Sequence, residues 1–168
     1  MKKITFILLL ISGLYFTSCD LNIQEDNALI GTVFEIEGDF RASNDYTLFY
    51  EFPQSYKVLS SDIVLVYILW KTTDGLDVWR LLPQTVAYPE GVIQYNFDFT
   101  VKDVEIFMEG TIPAKDWLPG ETDNQVFRIV VMPAGFFASK SLDISDMNKL
   151  MNVPGMGFKL NEKVFLPD

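Results

Sequence analysis

The sequence predicts an all-β fold, a single antiparallel β-sandwich of immunoglobulin-like type with one short helix near the carboxyl terminus. Three observations lead there. Apolar and polar residues alternate with period 2 over several stretches, as on strands with one buried and one wet face. About seven to nine such stretches follow at short intervals, divided by Gly, Pro and Asp-Gly turn signals. No long helical pattern intervenes to build βαβ units. Aromatic residues make up 14% of the chain and hydrophobic residues 49%, which suffices for a packed core and lies outside the composition of disordered chains.

Taken in order, Thr32 to Phe40 places Phe34 and Ile36 on one face and Glu35 and Glu37 on the other. Tyr46 to Phe52 holds Tyr46, Leu48, Tyr50 and Phe52 in phase, and Pro53 ends it. Ile63 to Trp70 is apolar on both faces, the mark of a strand inside a core. Thr72-Thr73-Asp74-Gly75 supplies a turn, because Asp-Gly tolerates positive φ, and Leu76 to Leu82 returns as the hairpin partner. Pro83, Pro89 and Gly91 punctuate the next stretch. Val92 to Thr100 sets Ile93, Tyr95, Phe97 and Phe99 against Gln94, Asn96, Asp98 and Thr100. Val104 to Ile112 keeps Val104, Ile106 and Met108 in phase. Val126 to Met132 is again apolar on both faces, and Phe158 to Phe165 reads as a last edge strand. Ala114 to Leu118 amounts to a turn. Ile144 to Met151 gathers Ile144, Met147, Leu150 and Met151 at helical spacing, with Asp143 or Ser145 as the cap.

The amino terminus has a different logic. Lys2 and Lys3 precede an apolar run from Ile4 to Leu14, and the small residues Thr17 and Ser18 lead into Cys19. A charged start, a short apolar stretch and small residues are the marks of a secretory signal. Ile4 to Phe16 spans 13 residues, short of the roughly 20 needed to cross a bilayer. Cys19 is the single cysteine of the chain and is followed by Asp20, Asn22, Gln24, Glu25 and Asp26, so it does not read as a core residue. Phe16-Thr17-Ser18-Cys19 resembles the bacterial lipobox, with Phe in place of the usual Leu. The resemblance implies cleavage before Cys19 and acylation of its sulfur and amine. Acyl chains add about 0.8 kcal/mol of membrane affinity per buried CH₂. The expected organisation is a signal peptide at 1–18, a polar tether at 19–28 reaching about 30 Å when extended, and a β-sandwich at 29–168.

Cleavage would leave 11 basic and 23 acidic residues, a net charge of −12. Such a surface repels nucleic acid, whose binding rests on Lys and Arg against phosphate. The chain has no histidine, which excludes Ser-His-Asp and Cys-His catalysis and His-bearing zinc sites. No glycine-rich phosphate loop is present, and no cofactor is implied. Acid–base work would fall to carboxylates, which a glycosidase needs in a pair about 5 to 9.5 Å apart. Glu35 and Glu37 share a strand face, and a solvated face accounts for them better than catalysis does. Calcium takes oxygen ligands from acidic loops, and Asp74-Gly75-Leu76-Asp77 and Glu121-Thr122-Asp123-Asn124 are the best of these. Neither follows the spaced calcium-loop pattern, so no metal site is expected. Trp79 and Trp117 are the candidates for ligand contact, since exposed tryptophans stack on sugars and anchor partners, although such residues more often close the end of a core. A site would have to lie on the longest irregular stretches, Pro113 to Asn124 and Pro133 to Ile144.

Asp62 to Tyr67, Gly75 to Thr85, Gln94 to Asp98 and Thr122 to Val131 together resemble a family of uncharacterised lipoproteins from Bacteroidota. The similarity covers about Gly31 to Met151. Some relatives carry a collagen-like run after the lipid Cys, where this chain has Asp20 to Ala28. The resemblance implies a lipid-anchored protein of the cell envelope, at the outer membrane, and brings no catalytic residues with it. The expected function is therefore a non-catalytic binding or structural module that meets the membrane through Cys19 and takes a protein or glycan partner. The alternative is a carboxylate-dependent hydrolase acting on an envelope glycan.

Mass spectrometry of protein from the native host should show loss of residues 1–18 and added acyl mass on Cys19. Cys19→Ser should block processing or release the domain. A soluble, unmodified wild-type product would contradict the lipoprotein reading.

Overall fold

A computed structural model describes residues 29–139 and 142–167. The expected signal peptide, Cys19 and the tether lie outside the described residues. Among the described residues ten strands form: β1 (Leu29–Gly38), β2 (Thr47–Glu51), β3 (Asp62–Thr73), β4 (Leu76–Leu81), β5 (Gln84–Tyr88), β6 (Gly91–Phe99), β7 (Asp103–Gly110), β8 (Gln125–Pro133), β9 (Met156–Leu160) and β10 (Val164–Phe165). They build two sheets packed against each other. The central sheet runs β1-β8-β3-β4, with β9 and β10 end to end along the free edge of β1, and the outer sheet runs β2-β7-β6-β5.

The alternation read from the sequence sets these faces. Phe34 and Ile36 of β1, Val64, Val66 and Ile68 of β3, and Phe127, Ile129 and Val131 of β8 point toward the outer sheet. Ile93 and Tyr95 of β6, Val104, Ile106 and Met108 of β7, and Leu48 and Tyr50 of β2 meet them. Phe34 ties the two sheets, with ring centroids 5.6 Å from Tyr50, 5.4 Å from Phe52 and 5.0 Å from Tyr56. Such aromatic pairs add about 0.5–1.5 kcal/mol each beyond area burial. Burial pushes the Tyr50 hydroxyl up to about 12.

The two-sided strands β3 and β8 are explained by a third layer. Val33, Leu65, Tyr67, Val130 and Met132 face away from the outer sheet, and they too are buried. Phe136 of the helix Ala134–Ser139, Met147 and Leu150 of the helix Met147–Met151, and Met156 of β9 cover them. The Tyr67 hydroxyl donates to the Ile144 carbonyl at 2.6 Å and fixes this cover to the sheet. The C-terminal helix begins at Met147, later than expected, and its cap is Asp146, whose carboxylate accepts from the Asn148 and Lys149 amides. Asp143 instead accepts from Ser145 and pairs with Lys149.

The wholly antiparallel sandwich expected from the sequence is corrected at one edge. β9 and β10 both run parallel to β1, Leu29–Val33 taking Met156–Leu160 and Ile36–Glu37 taking Val164–Phe165. The single edge strand expected at Phe158 to Phe165 is two short strands, because the chain leaves the edge between them. β5 was not expected at all. The hairpin at Asp74-Gly75 forms as expected, with φ of 52° and 75° at its two central residues, the backbone that a two-residue turn of this hand needs.

Leu150→Ala would leave a cavity in the outermost layer, where nothing else can move in to fill it. It should cost about 2–5 kcal/mol and lower Tm by about 5–15 °C, read by calorimetry. Asn152→Ala, on an exposed side chain at the end of the same helix, should shift Tm by no more than about 2–3 °C.

Candidate functional site at the loop end of the sandwich

The segment between β7 and β8 packs as a rigid rim over one end of the sandwich. Thr111 starts it with a double tie to β6: its amide donates to the Val92 carbonyl at 2.9 Å, and its hydroxyl accepts from the Val92 amide at 3.0 Å. A short 3-10 turn at Ala114–Asp116, where a turn was expected, brings Trp117 back over the end of β7. The Trp117 indole Nε1 donates to the Ile112 carbonyl at 3.1 Å, and its ring stands edge-on to Tyr46 at 4.7 Å. Tyr46 supports it from a strained position, since Asp45 and Tyr46 both adopt left-handed backbone with φ of 50° and 54°.

Farther along, a helical turn at Pro119–Thr122 is tied to the outer sheet and to the loop that follows β1. The Tyr95 hydroxyl donates to the Glu121 carbonyl at 2.9 Å, and the Phe40 amide to the Thr122 carbonyl at 2.8 Å. Burial pushes the Tyr95 hydroxyl up to about 12. The Asp123 carboxylate accepts from the Thr122 hydroxyl and from the Arg41 guanidinium. Those two contacts, Thr122 first, hold Asp123 below the usual carboxylate range. Because its folded value is depressed, the contact is complete at neutral pH and is lost only as pH falls through that value.

Two cavities open beside this rim. One, of about 460 Å³, has Tyr88, Ile112, Pro113 and Trp117 as its apolar wall, with Glu90, Thr111 and Asp116 as its polar groups. The other, of about 330 Å³, lies between Trp70, Val86, Tyr95 and the Gly120–Val126 segment. Trp70 reaches it from a β-bulge, because β3 skips that residue in its pairing with β4. Arg80 caps the Trp70 ring at 4.0 Å from its centroid. The sequence showed Trp70 only as the end of an apolar run, and neither the bulge nor the Tyr88–Trp117 juxtaposition has a local signal.

The other expected positions fall elsewhere. Trp79 is 9% exposed and packs in the cluster beneath the helical cover, with the Arg128 guanidinium 4.1 Å over its ring. Of its two readings Trp79 takes the core-closing one, since the helical cover and Arg128 close its face. Glu35 and Glu37 lie on the covered side of β1 as anchors of the carboxyl terminus. Arg128 Nε is 2.8 Å from Glu35, and Lys163 Nζ lies 3.2 Å from Glu35 and 3.1 Å from Glu37. Of the two acidic loops, the first holds Asp77 against the Thr72 hydroxyl at 2.9 Å. In the second, Glu121 accepts from the Leu118 amide and Asp123 is held by Arg41. Among the described residues no cluster of three or more acidic or thiol groups is placed to hold a metal ion. The stretch Pro133 to Ile144, the second place where a site was expected, instead supplies the helix Ala134–Ser139, and residues 140 and 141 lie outside the described residues.

The fold and rim together define an all-β, two-sheet sandwich with one face covered by short helices and two cavities at one end. Compared with protein-family models, curated proteins and solved structures, the chain matches none.

Proposed function

We propose that the protein is an envelope-anchored lipoprotein whose sandwich is a non-catalytic binding module, and that the Trp117 cavity meets a protein or glycan partner. The observation that carries this reading is the position of the cavities relative to the start of the domain. Leu29, the first described residue, lies at the end of the central sheet where β8 finishes and β3 begins. Gly38, at the other end of β1, pairs with Gln125 directly after the rim. Nine steps of extended chain separate them, about 30 Å. A lipid on Cys19 followed by a short tether would hold the Leu29 end toward the membrane and turn both cavities outward. The likeness to envelope lipoproteins, the lack of histidine and the rigid rim support the same reading. The carboxylates first considered for hydrolysis, Glu35 and Glu37, are each engaged by a cation.

The test is co-purification of the tagged full-length lipoprotein from its own envelope, beside a glycan array. A partner or glycan that is captured by wild type, lost about tenfold or more with Trp117→Ala (over 1.4 kcal/mol) and retained with Gln54→Ala at the opposite end supports the reading. Hydrolysis of an envelope polysaccharide, abolished by one acidic substitution that leaves the fold intact, would replace it with the enzyme reading.

A further inference from the structure

We propose that the cavity between Tyr88 and Trp117 is a site for an alkylammonium group, the cationic end of a small amine or of a lysine side chain. The inference rests on the binding reading above and adds the ligand's chemistry. Its wall combines two aromatic rings with two carboxylates, Glu90 and Asp116, and includes no Lys or Arg. The face of an aromatic ring attracts cations. Trp117 has already committed its only donor to the Ile112 carbonyl, so it offers a ligand its ring and nothing to hydrogen-bond an anion.

The rest of the surface sharpens the contrast. Trp70 and Trp79 each carry an internal guanidinium over the ring, from Arg80 and Arg128. Among the described residues no side-chain cation lies over Trp117. Some carboxylates elsewhere are matched by a cation, Asp39 and Asp123 by Arg41, Glu35 and Glu37 by Lys163, Asp143 and Asp146 by Lys149. Others, Glu51, Asp98 and Glu105 among them, are exposed and lie outside this cavity. Glu90 and Asp116 have no ion-pair partner among the described residues, and Lys115, next in sequence to Asp116, does not line the cavity. A bound ammonium would meet an aromatic ring of the kind that Arg80 and Arg128 cover elsewhere, with two carboxylates in the same cavity wall to balance its charge. A phosphate or carboxylate ligand would meet two like charges. A neutral sugar could stack on the rings but would leave both charges unmatched. The cavity's volume of about 460 Å³ lies within the usual range for small-molecule sites. The net charge of −10 over the whole chain raises the local concentration of cations.

The test is calorimetric titration of the full-length protein with choline chloride, with Nα-acetyl-lysine amide, and with 3,3-dimethylbutan-1-ol, the uncharged isostere of choline. Saturable binding of a cation, absent for the isostere and weakened by added salt, is the expected result. Choline and the lysine amide tell a free amine from a side-chain ligand by which binds more tightly. Glu90→Gln and Asp116→Asn change exposed side chains and should leave the fold intact, and each should weaken binding about fivefold, the size of one charge contact in a water-like medium. Equal binding of choline and its isostere would overturn the proposal, as would no saturation by either cation. If a glycan or partner is captured through Trp117 while neither cation binds, the ammonium site falls and the binding module stands. If cations bind and no protein or glycan is captured, the ammonium site stands and the protein or glycan partner of the binding reading falls.

Discussion

β3 and β8 carry apolar side chains on both faces, and water must be kept from both. On one side this is done by the outer sheet, through Phe34, Ile129, Val66 and the residues they meet. On the other side no second sheet is available. The chain after β8 therefore doubles back as two short helices and a parallel edge, laying Phe136, Met147, Leu150 and Met156 over Leu65, Tyr67, Val130 and Met132. An exposed apolar face of that size would be an aggregation surface. The charged residues on the covered face are admitted only in matched sets. Arg128 lies over Trp79 and bonds Glu35, and Lys163 closes the set from the carboxyl terminus.

The same constraint explains where variable structure collects. The short helices occupy one face of the central sheet, β9 and β10 lie along its edge, and the outer sheet occupies the other face. The rim between β7 and β8 is thus left to form concave surface at one end. It is held by hydrogen bonds from Tyr95 of the outer sheet and from Phe40, just past the end of β1. Walls fixed in this way suit binding, because little ordering is left to be done when a ligand arrives.

Much of this was legible in the residues. The period of β6 and β7, the two-sided runs of β3 and β8 and the Asp-Gly turn all appear where the sequence puts them. Tyr67, Leu65 and Val130 already implied a second cover, but not what would supply it. The helix Ala134–Ser139 was missed because Gly135 and two phenylalanines are poor helix formers, and the segment is helical because Phe136 is buried against the sheet. β5 was missed because Pro83 and Pro89 bracket only five residues. Its alternation of Gln84, Val86 and Tyr88 against Thr85 and Ala87 is too short to stand out. Trp79 could not be assigned a burial from its own strand, since its face is closed by residues more than 40 positions away. The cavity was partly legible: Trp117 was singled out, but Tyr88 and Glu90 join it only through the β5–β6 hairpin and its tie to Thr111.

Amide hydrogen exchange tests most directly whether a doubly covered central sheet organises the molecule. Exchange reports the free energy of opening, which reaches the global value only in the most buried elements. The slowest amides should lie in β8 and the middle of β3, from Phe127 to Met132 and from Val64 to Ile68, with protection falling outward to β4 on one side and to β10 on the other. The Met147–Met156 cover should exchange more slowly than the rim. If β6 and β7 are instead the slowest, and Leu65, Tyr67 and Val130 exchange as readily as the rim, then the helical cover does not close that face and the account fails.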